Sequence, residues 1–138
     1  MAELLPYTAV SDAQGEIAWR PLLQLTLHSD RKWVEANSLL DTGADVNVLP
    51  YQVGIALGIV WDQQTPLTPP SGNLRQYETR GIVLDATVGQ LAPVRLAFAW
   101  TRSENVPLIL GQENFFATFD VYFFRGRALF EIQPKQTR

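Results

Sequence analysis

The amino-acid sequence predicts a small, mainly β domain, a closed barrel or a sandwich, with one or two short helices. Its apolar runs are short and are separated by Gly, Pro, Asn and Ser, a pattern typical of strands joined by turns. The 138 residues suit one domain covering 1–138, because no linker or internal repeat interrupts them. With 46% hydrophobic and 18% charged residues, the composition is that of a globular chain rather than a disordered one.

The first half of the chain contains three predicted strands. Two lie between Gly15 and Asp41, and in the first of them leucines alternate with polar residues from Leu23 to Leu27. This period of two indicates a strand with one buried face. A polar turn leads to the second strand, residues 34–40, which ends at Asp41. A third short strand is predicted over 46–50.

The remaining elements follow from turn and helix-boundary signals. Pro50 and Gly58 enclose one or two predicted helical turns, because proline favours the start of a helix and glycine its end. The segment 63–81 is the most interrupted, with three prolines followed by Ser-Gly-Asn. The rest of the chain is predicted to form a hairpin at Gly89 and Gln90, a buried strand, a short helix at 112–117 and a closing hairpin at Arg125 and Gly126.

Charge and residue usage exclude several classes of function. A formal net charge of -3 without a basic run argues against nucleic acid or an anionic membrane as the partner. The absence of cysteine excludes disulfides, thiolate-bound metals and thiol catalysis. The only histidine, His28, is interpreted as a structural residue at a strand end. Asp41, Asp45 and Asn47 lack the spacing of a calcium-binding loop. We therefore expect no metal and no cofactor.

The N-terminal segment and the length of the apolar runs indicate where the protein is located. The N-terminal segment contains an acidic residue and has neither the basic start nor the apolar core of a signal peptide. No apolar run approaches the ~20 residues that a membrane-spanning helix needs. The expectation is a soluble, cytoplasmic protein.

Residues 37–50 place an aspartate in an apolar setting. Leucines precede Asp41 and valines follow it closely, and an unpaired charge near a core is costly. Gly43 permits a tight turn, and Thr42 offers a hydroxyl group. With a second carboxylate beside it, Asp41 would share one proton with that carboxylate. Such a pair suits hydrolysis, because the ionised member takes a proton from water and the protonated member donates one to a carbonyl oxygen.

The segment LLDTGAD resembles the active-site motif of retropepsins, the single-domain, retroviral-type aspartic proteases. Retropepsins also carry two apolar residues and a glycine before a short helix, and PLILGQENFF matches that second motif. The similarity extends over 22–132, most of the chain. The matching residues are Asp41, Thr42 and Gly43 in the first motif and Ile109, Leu110, Gly111 and Gln112 in the second.

This resemblance implies an acid-protease lobe with aspartic endopeptidase activity and an acidic pH optimum. The chain contains only one Asp-Thr-Gly, so the two catalytic carboxylates would be Asp41 of each subunit in a homodimer. A two-fold axis brings identical residues together, as this chemistry requires. Thr42 would reach the loop of the partner subunit, as in the family.

The resemblance also implies a flap and a set of substrate-binding residues. Residues 65–81 correspond to the flap, with Ser71, Gly72 and Asn73 at its tip, and they would close over an extended peptide. Asp45 corresponds to the residue that holds the substrate backbone, and the alternative for it is a solvated loop acid. Candidate wall residues of apolar subsites, for which ordinary core is the alternative, are Ala44, Val48, Leu108 and Ile109.

Two features depart from the retroviral pattern. Retroviral members usually have an arginine after the second-motif glycine, whereas here Gln112 offers a neutral amide that cannot replace a bidentate guanidinium. We therefore expect a weaker or differently built dimer. The termini are also longer than the short terminal strands that interleave in retroviral dimers. With its Met start and no flanking viral or ubiquitin-like module, the chain is expected to be a stand-alone cellular, bacterial-type relative.

Two other interpretations stay open. The chain could be a non-catalytic binding or assembly module with the retropepsin fold. It could also be a monomeric barrel in which Asp41, Thr42 and Gly43 form only an Asx-type turn. A folded dimer that cleaves no peptide would favour the first, and a monomer with exposed Asp41 would favour the second.

Overall fold

The computed structural model describes residues 1–70 and 72–136, without the side chain of Asn73. These residues form two short α-helices, α1 (Tyr51–Ala56) and α2 (Phe115–Thr118), three single-turn 3₁₀-helices and twelve strands. The strands are β1 (Glu3–Pro6), β2 (Thr8–Ser11), β3 (Ile17–Arg20), β4 (Leu22–Ser29), β5 (Lys32–Leu40), β6 (Val48–Pro50), β7 (Thr65–Leu67), β8 (Thr79–Thr87), β9 (Val94–Thr101), β10 (Ile109–Leu110), β11 (Phe119–Phe124) and β12 (Leu129–Pro134).

Six of the strands close into a barrel. Their order is β4-β5-β10-β6-β9-β8, and pairing of β8 with β4 closes the ring. The strand β7 adds to β8 outside the ring. The sequence therefore predicted the fold class correctly, and of its two alternatives the closed barrel is confirmed rather than the sandwich.

Alternation of side chains explains why β4 lines the barrel interior. Leu23, Leu25 and Leu27 are 0–1% exposed, while the polar residues between them face outward or sit half-buried. Each fully buried leucine stabilises the fold by roughly 1.5–3 kcal/mol relative to an exposed one. The same period of two recurs in β8, where Ile82, Leu84 and Ala86 are buried.

A second, three-stranded sheet joins the two ends of the chain. Its order is β1-β12-β11, so the N-terminal strand pairs with the C-terminal strand of the same molecule. Leu5 lies opposite Phe130, which is fully buried. The strands β2 and β3 form a separate hairpin with mostly exposed residues. The long termini thus have an internal pairing, which the sequence left undetermined.

The helix α1 forms where Pro50 and Gly58 predicted it. Pro50 precedes its first turn with φ -63°, and Gly58 follows its end with φ +77°, a conformation that favours glycine. The helix packs on Trp100, whose indole nitrogen donates to the Tyr51 carbonyl at 3.1 Å. Gly54 lies so close to the Trp100 indole that a β-carbon there would overlap it.

Two sequence predictions need correction. The first predicted strand is divided at Pro21, which lies between β3 and β4 and has no N–H for a ladder. The helix predicted at 112–117 begins only at Phe115. A helix cannot run through the residue before it, because Asn114 has φ +80°, outside the right-handed helical region.

The hairpins predicted at Gly89 and at Arg125 are confirmed by the antiparallel pairs β8–β9 and β11–β12. His28 lies at the penultimate position of β4, which confirms its placement near a strand end. In the part of the chain that the structure describes, no helix has the length and apolar character needed to cross a membrane.

Replacing Gly54 with alanine should destabilise the fold, because the added methyl group has no room beside Trp100. Overpacking of this kind costs about 1–3 kcal/mol. Urea unfolding followed by tryptophan fluorescence measures the change. Gly126→Ala is the matched control, since no atom lies within 4 Å of a β-carbon there. Equal stability of the two variants would contradict the packing described.

Candidate active site

The aspartate singled out by the sequence lies where β5 leaves the barrel. Leu40 ends β5 and is 4% exposed, and Asp41 follows it directly. The backbone N–H of Asp41 donates to the Leu110 carbonyl at 3.0 Å, which continues the parallel pairing of β5 with β10. The sheet therefore fixes the position of Asp41 through its main chain.

The loop after β5 closes on the aspartate itself. Asp41 Oδ1 accepts a hydrogen bond from the Gly43 N–H at 3.0 Å, and the Asp41 carbonyl accepts one from the Ala44 N–H at 3.1 Å. The first contact is that of an Asx-type turn. Within the described residues, Oδ2 has no hydrogen-bond partner, and Asp41 is half-buried. The turn orients the carboxylate and leaves one oxygen available.

Thr42 and Gly43 form the exposed tip of this loop. The Thr42 hydroxyl makes no hydrogen bond within the described residues. A β-carbon at Gly43 would lie 3.3 Å from Asp41 Oδ1, so a larger residue would crowd the carboxylate. The tip therefore offers one free hydroxyl and one uncovered carboxylate oxygen to solvent or to another chain.

The second motif packs directly against the loop that carries Asp41, residues 41–46, which we call the aspartate loop. A β-carbon at Gly111 would lie 2.6 Å from the Val46 carbonyl oxygen and 2.8 Å from that of Ala44. Both are backbone atoms, so no other residue fits without moving a loop. The Gly111 N–H donates to Asn47 Oδ1 at 2.9 Å. Glycine at this position is thus required by the contact between the two loops.

Gln112 connects the second motif to the aspartate loop. Its side-chain Nε2 donates to the Thr42 carbonyl at 2.9 Å, and its backbone N–H donates to the Ala44 carbonyl at 2.8 Å. A neutral amide therefore holds the loop within one chain, at the position where retroviral members usually have arginine. The strength of a dimer built with Gln112 stays a prediction.

Asn47 is the site residue that sequence reasoning missed. It is 1% exposed, and its Nδ2 donates to the Ala97 carbonyl at 2.9 Å and to Asn114 Oδ1 at 3.1 Å. Asn114 Oδ1 also accepts the Ala97 N–H at 2.8 Å. The available signal was a lone polar residue inside the apolar run VNVLP, where a buried amide must be satisfied.

The structure separates the other predicted substrate residues into two groups. Ala44 and Ile109 are half-buried, and Asp45 is exposed. Val48 and Leu108 are 3% and 4% exposed, so in the single chain they lie in the interior rather than at a surface wall.

The predicted flap corresponds to a hairpin beyond the barrel. The strand β7 pairs with the start of β8, with Leu67 opposite Thr79, and residues between them form its tip. Gly72 is exposed with φ +80° and begins a 3₁₀-helix that includes Asn73. Of the three tip residues named from the sequence, Ser71 and the side chain of Asn73 lie outside the described part. Whether this hairpin acts as a flap stays a prediction.

An apolar cavity of about 270 Å³ opens beside the aspartate loop. It is bounded by Val46 and Asn47 after the loop, by Leu67 and Gly81 of the hairpin, and by Ala97 on β9. Leu67 is 46% exposed, so the cavity has an apolar rim. A larger cavity of about 340 Å³, lined by His28, Asp85 and Arg95 among others, contains no residue of either motif.

Acidic residues are dispersed in the described part of the chain. No group of three or more His, Asp or Glu side chains there has the arrangement of a metal site. Within the described residues, the Asp41 carboxylate makes no hydrogen bond to another carboxyl group, and the nearby Asp45 is exposed.

Replacing Asn47 with alanine should lower stability by about 1–3 kcal/mol, because the Gly111 N–H and the Ala97 carbonyl would lose their partners in a buried setting. Chemical denaturation measures the change. Asn37→Ala is the control, because Asn37 is exposed on β5. A loss no larger than that of the control would contradict the importance of this network.

Comparisons with solved structures identify the fold. A retropepsin-like aspartic protease from Rickettsia conorii superposes with a TM-score of 0.65 at 12% identity, covering 96% of this chain and 89% of that one. EIAV protease complexed with the inhibitor HBY-793 gives a TM-score of 0.53 at 20% identity, covering 74% and 88%. No protein-family model and no curated protein matches the chain. At these identities the likeness concerns the fold: the chain has the retropepsin-like fold of a single acid-protease lobe.

Proposed function

We propose that this protein is an aspartic endopeptidase that acts as a homodimer. The observation that carries the proposal is the orientation of Asp41, held by the Gly43 N–H at 3.0 Å with its second oxygen free in the described chain. The retropepsin-like fold of the neighbouring structures supports the protease class.

The catalytic unit requires two chains. Only one Asp-Thr-Gly occurs in the sequence, and a water-activating pair needs two carboxylates within reach of one proton. A two-fold axis at the loop tips would bring Asp41 of each subunit together. The exposed Thr42 hydroxyl, free within the described residues, suits a contact with the loop of the partner subunit.

The proposed reaction is general acid–base hydrolysis of a peptide bond. The ionised Asp41 takes a proton from a water molecule, whose oxygen bonds to the peptide carbonyl carbon. The protonated Asp41 of the partner subunit gives its proton to the carbonyl oxygen. When the tetrahedral intermediate collapses, the carbon–nitrogen bond breaks and the leaving amine receives a proton from the pair. One carboxyl must hold a proton at the start, which predicts an acidic pH optimum.

The substrate is proposed to be an extended peptide. The cavity of about 270 Å³ beside the aspartate loop has an apolar lining that fits an aliphatic side chain. The hairpin of β7 and β8 borders this cavity through Leu67 and Gly81, and its closure would exclude water from the reacting bond. Asp45, exposed after the loop, is available to bind substrate backbone. A cytoplasmic location stays a prediction from the sequence.

The variants Asp41→Asn and Asp41→Ala should lose peptide cleavage between pH 4 and 6. General acid–base catalysis contributes roughly 10²–10⁴-fold to rate, so kcat/KM should fall by at least about that factor. A diverse peptide library read by mass spectrometry supplies the substrate. Asp62→Asn removes the same charge from an exposed 3₁₀-helix and should keep full activity. Unchanged cleavage by either Asp41 variant would contradict the assignment of Asp41 as catalytic. If the native protein forms a folded dimer that cleaves no peptide, a binding module would be favoured.

Mixing native protein with Asp41→Asn protein should lower the activity per native subunit. At equal amounts about half of the native subunits would enter mixed dimers that lack one carboxylate. Activity per native subunit should therefore fall to about half after subunits exchange. A shared active site predicts this loss. If the activity per native subunit does not change when the variant is added, one chain is sufficient for cleavage.

A further inference from the structure

The cavity beside the aspartate loop has a single ionisable residue in its lining. It measures about 270 Å³ and lies between the end of the aspartate loop, the strands β8 and β9, and the residues that precede α2. Among the described residues that line it, only Glu113 carries a charge. Pockets for whole small molecules measure roughly 300–1,000 Å³, so this cavity has the size for one long side chain of a peptide rather than for an entire ligand.

The walls of the cavity suit a straight hydrocarbon chain. On the ladder of β8 and β9, Val83 lies opposite Ala97. Two residues along the same ladder, Gly81 lies opposite Ala99. Residues two apart on a strand share a face, so these pairs form one continuous apolar surface. Leu67 closes its end, with Cδ1 3.1 Å from where a β-carbon of Gly81 would lie.

The two asparagines in the lining have their side-chain oxygens engaged. Asn47 is 1% exposed, and its Oδ1 accepts a hydrogen bond from the Gly111 N–H. Asn114 Oδ1 accepts from Asn47 Nδ2 at 3.1 Å and from the Ala97 N–H at 2.8 Å. A substrate group that donates hydrogen bonds therefore finds one uncommitted side-chain acceptor in the described lining, the carboxylate of Glu113.

Glu113 is positioned by its main chain and has a free carboxylate. Its N–H donates to the Asp45 carbonyl at 2.8 Å, and its carbonyl accepts from the Phe115 N–H at 3.1 Å. Within the described residues, its side chain makes neither a hydrogen bond nor an ion pair. Arg95, farther along β9, is paired with Asp85 at 3.4 Å. No basic side chain in the described part of the chain thus neutralises Glu113.

The segments around the cavity carry negative charge only. Residues 41–46 include Asp41 and Asp45, residues 111–114 include Glu113, and neither segment contains lysine or arginine. Charges of one sign around a cleft attract a ligand of the opposite sign. The local field therefore favours a basic side chain of the substrate over an acidic one.

We propose that this cavity selects a lysine or arginine side chain of the substrate peptide, with Glu113 as the residue that determines the specificity. The hydrocarbon stem lies along the apolar walls, and the cationic end bonds to the Glu113 carboxylate, which is exposed. A purely aliphatic side chain would contact the same walls but leave the carboxylate unpaired. The inference rests on the proposed function, because it concerns the peptide that the Asp41 pair would cleave.

A peptide series tests which side chain is selected. A sequence that the native protein cleaves is resynthesised with lysine, arginine, norleucine or glutamate at each position in turn. Norleucine has the straight stem of lysine without the ammonium group. At one fixed position relative to the cut bond, lysine and arginine should give a kcat/KM about fivefold above norleucine, the upper end of what a partly exposed ion pair contributes. Glutamate should be the poorest residue there.

Variants of Glu113 test whether its carboxylate causes the preference. Glu113→Gln keeps the shape of the side chain and should make the lysine and norleucine peptides equal, with the norleucine rate unchanged. Glu113→Lys should reverse the order, so that the glutamate peptide is cleaved faster than the lysine peptide. Glu16→Gln is the matched control, because Glu16 is exposed between β2 and β3 and does not line the cavity. It should keep the native preference.

A native preference for lysine below about twofold, or one that persists in Glu113→Gln, would overturn the inference. Binding to the Asp41→Asn protein separates it from the proposed function, since this variant keeps the cavity but should not cleave. Library peptides captured by the variant should be enriched about fivefold in lysine over norleucine, and adding Glu113→Gln should abolish the enrichment.

The two proposals fail in different ways. Cleavage by the native protein without a lysine preference would reject the specificity and leave the proposed function standing. Lysine enrichment on capture, without cleavage by the native protein, would reject the proposed function and leave the specificity standing. A protein that neither cleaves nor captures peptides would contradict both.

Discussion

The hydrogen bond from the Gly111 N–H to Asn47 Oδ1 joins the two loops at one end of the barrel, and the candidate site depends on it. It brings the second motif so close to the aspartate loop that Gly111 has no space for a β-carbon. Gln112 can then reach the Thr42 carbonyl, and Leu110 can accept from the Asp41 N–H. The carboxylate is positioned by main-chain contacts, whose geometry changes little with side-chain motion.

The burial of Asn47 explains why this connection is strong as well as specific. Its amide bonds to Gly111, Ala97 and Asn114, so both ends of the side chain are satisfied away from water. A buried hydrogen bond of this kind is stabilising only when every member has a partner. The positive φ of Asn114 is part of the same network, because it directs the Asn114 side chain toward β9. Asn114, with its positive φ, thus helps to hold Asn47 in place beside the site.

Local patterns predicted much of this fold, and long-range contacts account for what they missed. Alternating leucines identified β4, and Pro50 with Gly58 identified α1, because period and turn chemistry act within a few residues. The start of α2 was placed too early, since Asn114 has a positive φ and the Gln112 and Glu113 N–H groups bond to a loop that is far away in sequence. The Asp41 loop was found from its motif, but the partners of Asn47 lie 50 or more residues away and leave no local signal.

The internal pairing of β1 with β12 changes how a second copy can associate. A terminal strand that is already bonded to its own chain cannot exchange with a partner without breaking that ladder. Among the described strands, β11 is the outer strand at the other side of the same sheet. Gln112 holds the aspartate loop from within the same chain, because its side-chain Nε2 donates to the Thr42 carbonyl.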